Sequence, residues 1–167
     1  NHFAENRLRN LRKEIQTMPK AAEKQNTITI TVPLVIALER ISDMLCSAFD
    51  PGVQNGTYYW AGIQGYEYPK GKSKDDFMYR YMEVVLAGGK MFLYDANEDE
   101  SNEGYSAKKK EEWTLTYDKI VKGLAVMASL KMGEGGHHFP NFMAENDDAE
   151  TADVFVQCCL FGKIVYG

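Results

Sequence analysis

Cysteine is scarce in this sequence, and its placement excludes a disulfide framework. The 167 residues include only Cys46, Cys158 and Cys159, with no CxxC spacing among them. An odd number of cysteines in this arrangement is typical of buried thiols in a reducing compartment. Because neighbours on a helix face different directions, we expect one of Cys158 and Cys159 to lie in the core and the other to be less buried.

Long apolar runs are missing as well. No stretch approaches the roughly 20 apolar residues that a membrane-spanning helix needs, and the opening residues NHFAENRLRN lack the apolar centre of a signal peptide. We therefore expect a soluble, cytoplasmic protein. With 44% hydrophobic and 12% aromatic residues, the chain is too apolar to be disordered and can form one domain with a core.

Positive charge is lacking in most of the chain. The formal net charge is −5, and residues 1–26 carry six basic and three acidic side chains, which leaves −8 for residues 27–167. A domain of this sign repels phosphate. We therefore expect no direct binding to nucleic acid.

The first residues also differ from the rest in their apolar pattern. An amphipathic helix is predicted by apolar residues at helical spacing followed by a proline, namely Leu8, Leu11, Ile15, Met18 and Pro19. We predict an N-terminal helix and linker over residues 1–26 and a separate domain over residues 27–167. The helix either folds back on this domain or docks on another chain, which includes a homo-oligomer through this helix.

The domain over residues 27–167 alternates strand and helix patterns without an internal repeat. Strands are predicted over residues 27–32, 57–61, 90–95, 113–116 and the closing KIVYG. Helices are predicted over residues 34–49 and 73–88, after the capping residue Thr116, and after a cap formed by Asp147 and Glu150. This order predicts an α+β fold in which short, mostly antiparallel strands pack against about four helices.

Two loops approach known binding motifs without completing them. GYEYPKGKS (residues 65–73) has five residues instead of four before its GKS, and Tyr66, Tyr68 and Pro69 disturb the ring of backbone donors that phosphates require. DANEDESNE (residues 95–103) places Asp95, Asn97 and Asp99 at alternate positions as a calcium loop does, but Glu100 stands where glycine is needed. We therefore predict a solvated acidic turn and no nucleotide or calcium site.

Histidine is also rare, and it does not occur in a zinc-binding pattern. His137 and His138 are adjacent in a glycine-rich stretch, whereas zinc ligands stand at helical spacing or near cysteines. We interpret them as a loop pair. No local signature such as GxSxG indicates nucleophilic catalysis. We therefore predict no metal, no cofactor and no catalytic residue.

GTYYWAGIQGYEY (residues 56–68) is the strongest candidate for a contact surface. It contains five aromatic side chains. The alternative to a contact surface is that the aromatic residues on the predicted strand pack in the core. The last two lie in a loop with glycine and proline, where aromatic side chains are typical contact residues. Together with the acidic turn, the predicted partner- or ligand-binding residues are Tyr58, Tyr59, Trp60, Tyr66, Tyr68, Asp95, Glu98, Asp99 and Glu100.

Four segments of the chain resemble the motifs of a family of small proteins from tailed phages and prophages. The segments are GTYYWAG, VVLAGGKMFLYDANEDE, WTLTYDKIVKGLAVM and DAETADVFVQCCLFGKIVYG. The last matches the family pattern DAxxADxxxQxxLFGxxVYG, and the likeness covers about residues 55–167. It departs from the family where a glycine pair is spread over Gly52 and Gly56. The resemblance implies phage origin and a single domain, and it supplies no catalytic residues.

Small phage accessory proteins often act against bacterial defence, and this association gives the functional hypothesis. A negative surface can occupy the basic channel of a nuclease, whose Arg and Lys side chains are suited to phosphate. We hypothesise a non-enzymatic protein that binds and inhibits a host defence protein, such as a CRISPR effector nuclease, in the cytoplasm of the infected bacterium. The alternatives are a protein that sequesters a nucleotide or signal molecule by stacking it on Tyr58, Tyr59 and Trp60, and a small hydrolase without a local signature.

Overall fold

A computed structural model of the chain describes residues 33–52, 56–78, 80–96 and 113–167. The chain divides into two compact units, residues 1–35 and 36–167. The predicted N-terminal helix, its linker and the first predicted strand all lie outside the described residues. The elements below belong to the second unit.

Within its described part, the second unit contains five α-helices and one three-stranded sheet. The helices are α1 Leu38–Phe49, α2 Glu83–Leu86, α3 Tyr117–Ser129, α4 His138–Met143 and α5 Ala149–Phe161. The strands are β1 Ala61–Glu67, β2 Lys90–Asp95 and β3 Trp113–Thr116, which pair antiparallel in the order β1-β2-β3. The predicted α+β class with short antiparallel strands is confirmed. None of the helices in the described residues has the length and apolar character needed to cross a bilayer.

Strands β2 and β3 and helix α3 form where local signals predict them. Lys90 pairs with Thr116 and Leu93 with Trp113, and alternate residues of β2 are buried. Thr116 then caps α3, since its hydroxyl accepts a hydrogen bond from the backbone N–H of Lys119 at 3.4 Å. The antiparallel pair and the helix that follows it therefore agree with the sequence pattern.

Strand β1 forms later in the chain than predicted. Thr57–Tyr59 is a 3₁₀ turn, and the strand covers residues predicted as a loop. The two glycines of β1 explain the error, because glycine weakens a strand signal. A β-carbon at Gly62 would lie 2.2 Å from the ring of Tyr94 on β2, so any other residue would require this ring to move.

The predicted helix over residues 73–88 is interrupted. A 3₁₀ turn, Lys74–Phe77, precedes the short helix α2. The predicted start is confirmed, since the backbone N–H of Ser73 donates to the Asp76 carboxylate at 2.8 Å. Tyr81, which lies within the predicted helix, is 39% exposed.

Helix α1 also differs from its prediction at its start. It begins at Leu38, whose side chain is 52% exposed, and its buried face starts only at Ile41. Beyond its end, the chain returns close to the helix at Gly56, where a β-carbon would lie 2.8 Å from the carbonyl oxygen of Ala48. This close approach positions the Thr57–Tyr59 turn beside the core.

Helix α5 lies at the centre of the core and packs against α1, α3 and α4. Nine of its 13 residues are buried, among them Ala152, Phe155, Val156 and Cys159. Cys158 is buried as well, so the expectation of one less buried cysteine is wrong. A helix covered from several sides buries residues that face in opposite directions.

The start of α5 is shifted by one residue from its prediction. Asp148 is the cap, because its carboxylate accepts the backbone N–H of Thr151 at 2.8 Å. Asp147 instead forms an ion pair with Arg40 of α1 at 2.5 Å. Gly162 ends the helix in the left-handed conformation, with φ of 68°.

Candidate functional site

A largely buried polar network connects the aromatic stretch to α5. One oxygen of the Asp153 carboxylate accepts hydrogen bonds from the Thr57 hydroxyl and the Trp60 indole N–H, both at 2.8 Å. The other oxygen accepts the side-chain N–H of Gln157 at 2.6 Å. Burial raises the pKa of the Asp153 carboxyl, and the three donors oppose this rise because they stabilise the carboxylate. The network fixes the Thr57–Tyr59 turn against the helix.

The side-chain amide of Gln157 also holds the last residues of the chain. Its oxygen accepts the backbone N–H groups of Val165 and Tyr166 at 2.6 and 2.7 Å, and its nitrogen donates to the Tyr166 carbonyl oxygen at 2.8 Å. An amide side chain offers the same donor and acceptor as a peptide unit. The prediction of a closing strand is therefore wrong, because a single side chain replaces the neighbouring strand.

Trp60 belongs to a packed aromatic cluster. Its side chain is 5% exposed and stacks on Tyr166, with ring centroids 4.5 Å apart and planes inclined by 15°. Trp113 and Phe161 each lie 5.5 Å from it. Trp60 therefore packs in the core, which was the alternative interpretation of the aromatic stretch. It also lines the cleft described below.

Tyr59 is the exposed member of the predicted aromatic set. Its side chain is 53% exposed, and its ring stacks on the half-buried Tyr58 at a centroid distance of 4.3 Å. A hydrogen bond with Tyr59 raises the pKa of the Tyr58 hydroxyl. The ring of Tyr59 is therefore exposed to solvent, and the ring of Tyr58 packs against it.

Tyr66 and Tyr68 belong to a second aromatic cluster. Tyr66 lies 6.3 Å from Tyr68 and 6.2 Å from Tyr81, and Tyr68 lies 6.1 Å from Phe77. Burial raises the pKa of Tyr66 to about 12. Trp60 and Tyr66 stand near opposite ends of β1, roughly 20 Å apart at the rise of an extended strand. The predicted aromatic residues therefore do not form one surface.

The predicted acidic residues are only partly described. Asp95 ends β2 opposite Ala61, and its charge contributes to the raised pKa of Tyr166, after the larger effect of burial. Asp95 is thus close to the cluster around Trp60. Glu98, Asp99 and Glu100 lie outside the described residues.

A cleft of about 860 Å³ opens beside the Trp60 network. It is lined by side chains from four segments, namely Tyr59, Trp60, His137, His138, Glu150, Asp153 and Tyr166. Its volume lies within the range of roughly 300–1,000 Å³ that is common for ligand sites. Of the predicted residues, the cleft brings together Tyr59 and Trp60. Asp153 and Glu150 were not predicted as site residues, because Asp153 contacts Trp60 only in the folded chain, across 93 residues of sequence.

The two histidines differ in their environments. His138 begins α4, is 4% exposed and has its Nδ1 atom 3.0 Å from the Thr151 hydroxyl oxygen, so its interpretation as a loop residue is wrong. Burial lowers the pKa of His138, and His137 lowers it further, with ring centroids 3.9 Å apart. Both effects favour the uncharged form of His138. Across the described ranges, no group of three or more His, Cys, Asp or Glu side chains is arranged to hold a metal.

Comparisons with protein-family models, with curated proteins and with solved structures give no match for this chain. The resemblance to a phage protein family therefore stays a prediction. What the fold and the cleft define is an α+β domain with an aromatic cleft that carries two carboxylates on one wall.

Proposed function

We propose that this chain is a non-enzymatic accessory protein of phage origin that binds and inhibits a bacterial defence protein, such as a CRISPR effector nuclease, in the host cytoplasm. The binding role is carried by one observation: the exposed ring of Tyr59 shares a cleft with the carboxylates of Glu150 and Asp153. Exposed tyrosines and matched charges are the usual means of protein recognition. The phage origin is supported by the closing motif over residues 148–167.

The net charge of the chain supports a basic partner. The formal charge is −5, and the residues after position 26 carry −8. A partner that normally binds phosphate presents Arg and Lys side chains to this negative surface, and the opposite charges accelerate association. An inhibitor of this kind needs no chemistry of its own, because occupying the channel is sufficient.

The size of the cleft favours a second function, the binding or sequestration of a nucleotide or signal molecule. Trp60 offers little to such a ligand, since Tyr166 already covers one face of its ring. The carboxylates of Glu150 and Asp153 also repel phosphate. A nucleotide would have to stack on Tyr59 with its phosphates in solvent, so the geometry supports protein binding more strongly.

Affinity capture from a bacterial lysate, followed by binding measurements with the purified captured protein, tests this proposal. We expect a nucleic-acid-binding protein whose activity falls on binding and whose association rate decreases with ionic strength. Replacing Glu98, Asp99 and Glu100 by Gln should reduce that salt dependence if the acidic turn contacts the partner. Failure to capture any protein, together with a rise in melting temperature caused by a nucleotide, would favour the second function instead.

A further inference from the structure

We propose that the cleft receives the guanidinium group of an arginine side chain of the partner protein, held between the ring of Tyr59 and the carboxylates of Glu150 and Asp153. This inference rests on the proposed function, since it names the chemistry by which a basic partner is recognised. It follows from the charges of the lining residues, the free acceptor position on Asp153 and the exposed tyrosine.

The charges that face the cleft are mostly negative near neutral pH. Helix α5 contributes Glu150 and Asp153, while the start of α4 contributes His137 and His138, whose lowered pKa favours its uncharged form. The remaining ionisable side chains are tyrosines, and no lysine or arginine is among the described lining residues. A cation that enters the cleft is therefore attracted, whereas a phosphate or a carboxylate is repelled.

Asp153 keeps one position for a further hydrogen bond. A carboxylate offers about four acceptor positions. Oδ1 uses two for Thr57 and Trp60, and Oδ2 uses one for Gln157. All three donors are neutral, and none of the described residues forms an ion pair with Asp153. The largely buried charge is thus hydrogen-bonded but not neutralised, and a cationic donor would supply both missing interactions.

Tyr59 favours a guanidinium over an ammonium group. A planar guanidinium stacks on an aromatic face and directs several N–H groups outward in its own plane. Glu150 and Asp153 are three residues apart on α5, so they lie on the same side of the helix and can accept these N–H groups together. A lysine can satisfy the charge but not the stacking.

Titration of the full chain with blocked tripeptides, followed by ¹⁵N NMR, tests this inference. The probes carry a central arginine, a lysine or citrulline, which has the shape of arginine without its charge. We expect the arginine peptide to shift the signals of Tyr59, Glu150 and the Trp60 indole, and to bind roughly threefold or more tightly than the citrulline peptide. The lysine peptide should lie between them, and added salt should weaken both cationic peptides.

Two variants localise the effect. Glu150→Gln should weaken the arginine peptide by roughly threefold, and Tyr59→Ala should remove its advantage over lysine. Asp75→Asn removes one negative charge from an exposed residue outside the cleft lining and should leave binding unchanged. Both cleft positions are exposed, so neither substitution should disturb folding.

The outcomes separate this inference from the proposed function. Equal binding of the arginine and citrulline peptides, or an undiminished response in Glu150→Gln, would overturn the arginine site. A captured partner that binds wild type, Glu150→Gln and Tyr59→Ala equally well would leave the proposed function intact and place recognition elsewhere. An arginine preference without any captured protein would support the chemistry of the cleft and count against the proposed function.

Discussion

The indole N–H of Trp60 donates to the carboxylate of Asp153 at 2.8 Å, across 93 residues of sequence. This bond attaches the turn that carries Tyr59 to the central helix α5. It also determines which part of the aromatic stretch is structural and which part stays exposed, because Trp60 is held inside while its neighbour Tyr59 reaches the cleft.

The stability of the fold should depend on pH through Asp153. Because burial raises the pKa of this carboxyl above its ordinary value of 3.8, protonation is more favourable in the folded state than in the unfolded chain. Its stabilising contribution is fully present below about pH 3.8 and is lost as the pH rises through the higher folded pKa. Asp153→Asn stays neutral throughout, so its free energy of unfolding should increase relative to wild type as the pH rises from about 4 to 7. Urea denaturation of both proteins at several pH values measures this difference, and a constant difference would contradict the prediction.

Gly123 of α3 should not tolerate alanine. In an isolated helix this change stabilises by about 1 kcal/mol. Here a β-carbon at Gly123 would lie 2.3 Å from the Cys159 sulfur and 2.7 Å from the backbone nitrogen of Cys159 on α5. We therefore expect Gly123→Ala to lower the free energy of unfolding by about 1–3 kcal/mol. Gly133→Ala is the control, since nothing lies within 4 Å of its β-carbon position. Equal melting temperatures for the two variants would contradict the close approach of α3 to α5.

Phe155 should be a main contributor to stability. Its side chain is fully buried on α5, and truncation of a buried phenylalanine costs about 3–5 kcal/mol through lost burial and a cavity. Against a typical domain stability of about 5–15 kcal/mol, Phe155→Ala should lower the melting temperature strongly or prevent folding. Val121→Ala serves as control because Val121 is half exposed on α3. An unchanged melting temperature in Phe155→Ala would refute the central position of α5.

Gln157→Ala should release residues 164–167. The change removes every hydrogen bond that the Gln157 side chain makes to Val165 and Tyr166 and one bond to Asp153. Unpaired buried groups cost about 1–3 kcal/mol each. We expect Tyr166 to leave the face of Trp60, so that tryptophan fluorescence shifts to longer wavelength. Glu150→Ala, on the exposed side of the same helix, is the control and should keep the wild-type spectrum. If Gln157→Ala also keeps the wild-type spectrum, ring stacking alone is sufficient to hold the segment.

The elements that sequence analysis predicted are those whose signals are local. Buried and less buried residues alternate along residues 90–95, and Thr116 stands directly before the helix that it caps. The apolar residues of α5 run along the whole helix, and Gly162 follows at its end. Strand β1 was misplaced because Gly62 serves a contact with Tyr94 that lies 32 positions further along the chain. Helix α4 was missed because it contains Pro140 and begins at a histidine.

The candidate site was predictable only in part. The aromatic composition of residues 56–68 indicated a contact surface, but it did not separate the exposed Tyr59 from the packed Trp60. Glu150 and Asp153 looked like ordinary polar positions of a helix start. Their role depends on which turn packs against α5, and this is a property of tertiary structure that no spacing within the helix encodes.

The bonds from Gln157 make residues 164–167 dependent on an element formed earlier. A strand pairs with another backbone, whereas this segment can dock only when α5 is helical and Trp60 is already in place. It should therefore join the fold last and open first, and the amide hydrogens of Val165 and Tyr166 should exchange with solvent before those of the central helix. Since Tyr166 forms part of the cleft wall, the complete cleft exists only in the fully folded chain, and partly folded molecules should lack the proposed binding surface.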